Sequence, residues 1–293
     1  MNVLVVGGSG FIGTHLSREL LDRGHDVTVL SRTPEDEDLP AGVETVRGDV
    51  TAYDSMEGAF EGRDAVVYLV ALSPLFKPSG GDRQHFAVHT EGARNVIRAA
   101  EAHDVGRLVH LSALGADPEG PTAYIRAKGE AEELVRASDL EWAIVRPSVV
   151  FGEGGEFVSF TRTLVPPGVA PLPGGGERTR FQPIWVGDFV PLLADAVEDE
   201  EHAGETYEIG GPEVLTLKQI ATLVRPGVRV VPVPMGLAGL GLKALGEVPG
   251  APMGADQYRS LRFDNTTSEN DVTVFGVDPA DLTTLGESLE SGR

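Results

Sequence analysis

The segment Val3-Leu-Val-Val-Gly7-Gly8-Ser9-Gly10-Phe11-Ile12-Gly13 restricts what this chain can fold into more than any other stretch. A short apolar strand pattern meets three spaced glycines and passes at once into helical periodicity over His15–Arg23. The spacing fits G-x-x-G-x-x-G through Gly7, Gly10 and Gly13, and G-x-G-x-x-G through Gly8, Gly10 and Gly13. Glycines so placed allow a tight turn, let backbone N–H groups approach a pyrophosphate, and let the helix pack close to the strand. The helix N-terminus adds partial positive charge beside the phosphates. Gly7, Gly10, Phe11, Ile12 and Gly13 are therefore expected to bind a small-molecule dinucleotide. A plain strand–turn–helix is the alternative, and the turn's place directly between strand and helix weighs against it.

Downstream, strand and helix patterns alternate. Asp26–Leu30, Glu44–Arg47, Asp64–Leu69, Arg107–Leu111 and Trp142–Arg146 are strand candidates, with helices expected over Ala87–His103 and Tyr124–Ala137. Near-continuous apolar strands separated by helices imply a parallel sheet covered on both faces. The expected class is α/β, a Rossmann-type doubly wound parallel sheet with a small mixed C-terminal lobe. After Pro147, turn-rich stretches such as VPPGVAPLPGGG (165–176) interrupt the pattern. Asp188 is expected to cap a helix over Phe189–Val197, and Tyr207–Ile209 to rejoin the sheet. This divides the chain into a dinucleotide-binding core over 1–150, with 180–212 returning to it, and a smaller substrate or partner lobe over 151–179 and 213–293.

Charge narrows the partners. Against 24 Lys+Arg stand 45 Asp+Glu, a net charge of −21 in 293 residues, which repels nucleic-acid backbones and anionic membranes. With no cysteine, disulfides, a thiolate nucleophile and cysteine-held metal or iron–sulfur sites are excluded. No apolar run reaches the roughly 20 residues of a membrane span, and the first residues carry no leader pattern, so a cytoplasmic protein is expected. Only four basic residues are lysine: Lys77, Lys128, Lys218 and Lys243. Few lysines beside acidic clusters such as Glu35–Asp38 and Glu198–Glu201 suit a halophilic protein, since concentrated salt screens self-repulsion. An ordinary acidic cytosolic protein is the alternative.

The end of the second strand reads the adenosine ribose. An acidic residue there would accept from the 2′-hydroxyl of NAD, but Leu30 is followed by Ser31 and Arg32. A guanidinium beside a hydroxyl suits a 2′-phosphate, so NADP is expected in preference to NAD. Asp49 and Val50, after the third strand, are expected at the adenine, with Asp49 only shaping a turn as the alternative; Val70 and Ala71, after the fourth, are expected along the dinucleotide. Tyr124-Ile-Arg-Ala-Lys128 puts a phenol and an ammonium one turn apart on one helix face. A phenol titrates near 10. An adjacent ammonium favours the phenolate and equips Tyr124 as acid or base, while Lys128 also holds a ribose. The alternative leaves Lys128 paired with Glu132 on a solvated face.

GGSGFIG at 7–13, Tyr124-x-x-x-Lys128 and Arg146-Pro147-Ser148 together resemble the extended or atypical short-chain dehydrogenase/reductases, which include NAD-dependent epimerase/dehydratase-like proteins. Leu111-Ser-Ala-Leu-Gly-Ala116, Phe181-Gln-Pro-Ile-Trp-Val-Gly-Asp188 and Asp256-Gln-Tyr-Arg-Ser-Leu-Arg-Phe-Asp-Asn265 resemble the branch containing the nucleotide-binding alpha-subcomplex subunit 9 of respiratory complex I. The resemblance implies NAD(P) binding in a Rossmann domain. It also implies Pro147 and Ser148 near the cofactor, and Ser112 as a hydroxyl beside the catalytic Tyr124 and Lys128. The chain departs from the family pattern twice. Leu114 stands where the epimerases carry Ser or Thr, and His89 stands where the helix asparagine is expected.

His85 and His89 have i, i+4 spacing, but no Glu follows His85 and no third ligand is evident, so no metal is expected. Ser73–Arg83 is a candidate lip over the nicotinamide, or an ordinary surface loop. Met235–Leu245 is a core helix of the small lobe, or an apolar contact for a partner. Three functions remain open. The first is NADP-dependent hydride transfer to or from a carbonyl or alcohol carbon, with Tyr124 as acid/base. The second is a non-catalytic NADPH-binding subunit or assembly protein docked on a respiratory complex. The third is a nucleotide-sugar epimerase, which would use NAD.

Overall fold

A computed structural model of the protein describes residues 1–34, 39–237, 255–260 and 262–292. Glu35–Asp38 and most of Met235–Leu245 lie outside the described residues. Strands β1 (Asn2–Val6), β2 (Asp26–Ser31), β3 (Glu44–Arg47), β4 (Ala65–Tyr68), β5 (Arg107–Leu111) and β6 (Glu141–Pro147) join an edge strand, Glu205–Ile209, in one seven-stranded sheet. The order is edge strand, β6, β5, β4, β1, β2, β3. The pairings from β3 to β6 are all parallel. Parallel strands covered on both faces need continuous apolar runs, and Val3, Leu4, Val5 and Val6 are all fully buried. This is the Rossmann-type α/β class expected from the alternating pattern.

The chain divides into two compact units. The first comprises Met1–Leu72, Arg83–Arg146 and Phe189–Tyr207; the second comprises Ser73–Asp82, Pro147–Asp188 and Glu208–Arg293. The segment that rejoins the first unit is thus narrower than 180–212. The stretch considered as a lip, Ser73–Asp82, goes with the second unit, where Phe76 meets Phe160 edge-on at 5.2 Å. Elsewhere in that unit, Phe151, Phe157, Ile220 and Leu285 form a small core. A parallel pair, Val169–Pro173 with Arg229–Val233, makes a separate two-stranded sheet.

In the first unit, helix Phe11–Asp22 buries Gly13, Leu16, Ser17 and Leu20. Arg23, just past its end, is held by Glu19, Asp195 and Glu198 at 2.8, 2.6 and 2.6 Å. Helix Gly92–Ala102 turns Ala93, Val96, Ile97 and Ala100 toward Leu4, Tyr68 and Leu108, the three-four spacing of an amphipathic face. The expected single helix over Ala87–His103 is not what forms. One helical turn, Arg83–His85, runs into a π-helical stretch, Phe86–Glu91, before the α-helix begins at Gly92. Tyr68 Oη donates to Val88 O within that stretch at 2.7 Å. Asp188 also differs from expectation. It lies inside the first turn of helix Val186–Glu198 rather than capping it, and its carboxylate accepts from the Thr283 N–H at 2.6 Å. Among the described residues, no helix is long and apolar enough to cross a membrane.

Candidate dinucleotide and catalytic site

The turn after β1 tolerates only glycine at two places. Gly7 has φ +85°, and a Cβ there would sit 2.8 Å from Val70 Cγ2. A Cβ at Gly13 would lie 2.5 Å from Gly8 Cα and 2.7 Å from Gly7 O, both backbone atoms that cannot withdraw. Helix Phe11–Asp22 begins at Gly10 with no side-chain cap and no acidic residue in its first turn. Such an uncapped N-terminus suits an anionic ligand.

A cleft of about 490 Å³ opens at the carboxyl ends of β1 to β4, on both sides of the point where strand order reverses. Open α/β sheets bind ligands at this place. Gly7, Ser9 and Gly10 line it from the β1 turn, Leu30 to Thr33 from β2, Gly48 to Thr51 from β3, and Leu69 to Leu72 from β4. Gln84, Ala87 and Val88 complete the wall. An adjoining cavity of about 610 Å³ is lined by Arg32, Thr33, Arg47, Gly48, Asp49 and Ser55.

Of the expected contacts, the cleft brings together Gly7, Gly10, Ser31, Arg32, Asp49, Val50, Val70 and Ala71. Phe11, Ile12 and Gly13 form the first helical turn and do not line it. Pro147 and Ser148 belong to the second unit, where Ser148 Oγ donates to Asn265 Oδ1 at 2.7 Å. Asp49 shapes its own turn, with Oδ1 accepting from the Thr51 N–H at 2.9 Å and from Thr51 Oγ1 at 2.7 Å. The motif reading missed Arg47. The β2–β3 register sets it opposite Ser31, a neighbour relation that spans sixteen positions and leaves no local signature. The residues fit a dinucleotide: Ser31 Oγ is buried with no hydrogen-bond partner among the described residues, and it stands on a wall that also carries Arg32.

Tyr124 and Lys128 lie on helix Ala123–Arg136, capped by Thr122, whose Oγ1 accepts from the Ile125 N–H at 3.2 Å. Neither side chain lines the cleft. The Tyr124 ring is half-buried and meets the rings of His85 and His89 edge-on at 5.7 and 5.3 Å. Burial pushes its phenol up from the ordinary value. Lys128 is 1% exposed and donates from Nζ to Leu111 O at 2.7 Å. Its ammonium is lowered to about 8, by burial first, with nearby Glu132 opposing the shift. The expected lowering of the phenol by Lys128 is therefore corrected. Desolvation governs Tyr124, and the ammonium is spent on a β5 carbonyl.

Lys128 is not on a solvated face with Glu132 either. Glu132 is 1% exposed and accepts from Arg146 Nε and Nη2 at 2.8 and 2.6 Å, and from Arg136 Nη2 at 2.8 Å. Ser112 Oγ donates to the same carboxylate at 2.5 Å. The Ser112 hydroxyl thus commits its proton to a buried ion cluster. A carboxylate shared by two guanidiniums and a hydroxyl is well compensated for its desolvation.

Residues 7–161 match the NAD(P)H-binding family. Over 238 residues the chain is 29% identical to NADH dehydrogenase (ubiquinone) 1 alpha subcomplex subunit 9, mitochondrial, of Arabidopsis thaliana, covering 78% of this chain and 58% of that protein. It is 29% identical over 189 residues to the 3-beta-hydroxysteroid dehydrogenase of Mycolicibacterium neoaurum, covering 62% of this chain and 50% of that protein. The chain thus spans only 58% and 50% of the length of these relatives. Among solved structures, Pal from Bacillus thuringiensis superposes with a TM-score of 0.78 at 19% identity, over 99% of this chain and 97% of the other. That likeness speaks for the fold alone. With its glycine turn, its cleft at the strand ends and the matched residues together, the chain belongs to the NAD(P)H-binding family of Rossmann proteins.

Proposed function

We propose that the protein is an NADP(H)-dependent oxidoreductase that moves a hydride to or from a carbonyl or alcohol carbon. The observation that carries this reading is the packing of Tyr124 on the helical stretch whose Ala87 and Val88 line the dinucleotide cleft. When bound, the nicotinamide supplies or accepts the hydride. The chain does the rest. The glycine turn and the first N–H groups of helix Phe11–Asp22 hold the pyrophosphate. Ser31, Arg32 and Arg47 hold a 2′-phosphate through charge-assisted bonds. Tyr124 gives or takes the proton at Oη. A phenol raised by burial stays protonated at neutral pH, which suits proton donation to a carbonyl oxygen. Lys128 keeps a positive charge one turn away below about pH 8.

The test is Tyr124→Phe, assayed with NADPH against aldehydes, cyclic ketones and ketosteroids, the last chosen for the likeness to a hydroxysteroid dehydrogenase. NADPH affinity should be unchanged and turnover should fall by about a hundredfold or more. Unchanged turnover overturns the assignment.

A second reading, a subunit that holds NADPH and docks on a respiratory complex, draws on a separate observation. Lys128 is engaged by Leu111 and Ser112 by Glu132, which occupies two of the three expected catalytic groups. The likeness to a complex I subunit points the same way. Tightly held NADPH with no turnover on carbonyls or quinones would select it.

A further inference from the structure

His89 carries a proton that no acceptor among the described residues receives. The side chain is 1% exposed, and its Nε2 accepts from the Leu72 backbone N–H at 2.9 Å. A backbone N–H can only donate, so the Nε2 lone pair is in use and a neutral imidazole must hold its proton on Nδ1. Burial, helped by the positive charge of Lys128 and by His85 and His110, holds His89 well below its ordinary range, so it is neutral. That Nδ1 is buried and has no hydrogen-bond partner. A buried donor left unpaired is costly and calls for a partner or a functional role.

The surroundings indicate what completes it. The imidazole meets the Tyr124 ring at 5.3 Å with the planes 84° apart. It projects from the π-helical stretch, a conformation frequent at functional sites. Leu72, which fixes the ring, lines the dinucleotide cleft, as do Ala87 and Val88 just before His89 in the chain. An acceptor atom that completed this donor would lie close to the ring of Tyr124.

We propose that His89 is a catalytic residue whose Nδ1–H donates a hydrogen bond to the carbonyl oxygen that Tyr124 protonates. The inference rests on the oxidoreductase reading and deepens it by naming the substrate group, a carbonyl oxygen. The balance is simple. As hydride reaches the carbonyl carbon from the reduced dinucleotide, the C=O π pair moves to oxygen. The Tyr124 Oη–H bond breaks, a new O–H bond forms on the product, and a phenolate remains. The carbonyl is reduced and the dinucleotide oxidised. His89 keeps its proton throughout and stabilises the charge that builds on the oxygen.

Two variants separate the two nitrogens. His89→Gln keeps an acceptor for the Leu72 N–H at the Nε2 position and loses the Nδ1 donor. His89→Asn keeps a donor at the Nδ1 position and loses the acceptor. With NADPH and benzaldehyde or cyclohexanone, His89→Gln should lower kcat about a hundredfold at unchanged NADPH affinity, and His89→Asn should recover at least about tenfold of that loss. Equal turnover in wild type and His89→Gln overturns the proposal. A second arm does not need turnover. Nitrogen NMR of histidine-labelled protein, assigned by the signal lost in His89→Gln, should show the Nδ1–H tautomer. Adding isobutyramide, an unreactive carbonyl, to the NADPH complex should shift that proton downfield. An Nε2–H tautomer, or an Nδ1 proton unmoved by the amide, also overturns the proposal. If wild type turns over no carbonyl, the oxidoreductase reading fails by itself and the NMR arm still decides the role of His89.

Discussion

At Lys128 a motif residue meets an environment its motif does not describe. The Tyr124-x-x-x-Lys128 spacing is legible because helix geometry puts i and i+4 on one face. The aim of Nζ is not, because it depends on the Leu111 carbonyl 17 residues upstream on another element. The same holds for Ser112, whose partner Glu132 lies on a different element 20 residues away. Burial of Lys128 has a measurable consequence. Its ammonium is lowered from 10.5 to about 8 in the folded protein. Between those values the unfolded chain binds one more proton than the folded one, so this group makes stability rise with pH there and contributes no pH dependence below about 8. Denaturant titrations should therefore show wild type gaining stability relative to Lys128→Met between pH 8 and 10. A relative loss over that range contradicts the assignment.

At the scale of elements, the strand boundaries were readable where an apolar run stops against turn residues, as in Asn2–Val6 and Arg107–Leu111. The π-helical stretch Phe86–Glu91 was not. Apolar periodicity registers which face is buried, and one extra residue per turn barely disturbs it over so short a run. Arg47 escaped for a related reason, since strand register, rather than sequence spacing, sets it opposite Ser31. The glycine turn is the element on which the site depends most directly. A methyl at position 13 would press on Gly8 Cα and Gly7 O. Gly13→Ala should lower NADPH affinity by about tenfold or more and lower Tm, because the helix N-terminus must move off the strand. Fluorescence titration and a thermal melt check both; an unaffected NADPH affinity would show that the turn does not hold the phosphates.

Over the whole molecule, a net charge of −21 must coexist with an anionic ligand. The chain meets this locally, with the helix that starts at Gly10 and with Arg32 and Arg47 around the cavities at the strand ends. Elsewhere the acidic excess repels itself, and salt screens that repulsion. Tm should therefore rise as KCl is raised into the molar range, and a flat or falling Tm would contradict a chain suited to concentrated salt. The charge excess was plain in the composition and Arg32 in the pattern after the second strand, but the placement of Arg47 became visible only with the strand register. The proposed preference of this cleft for the phosphorylated dinucleotide is tested by calorimetric titration with NADPH and NADH in one buffer. NADPH should bind wild type at least about tenfold more tightly than NADH, and the preference should vanish when Arg32 and Arg47 are both replaced by alanine. Equal affinities in wild type, or tighter binding of NADH, would contradict the account.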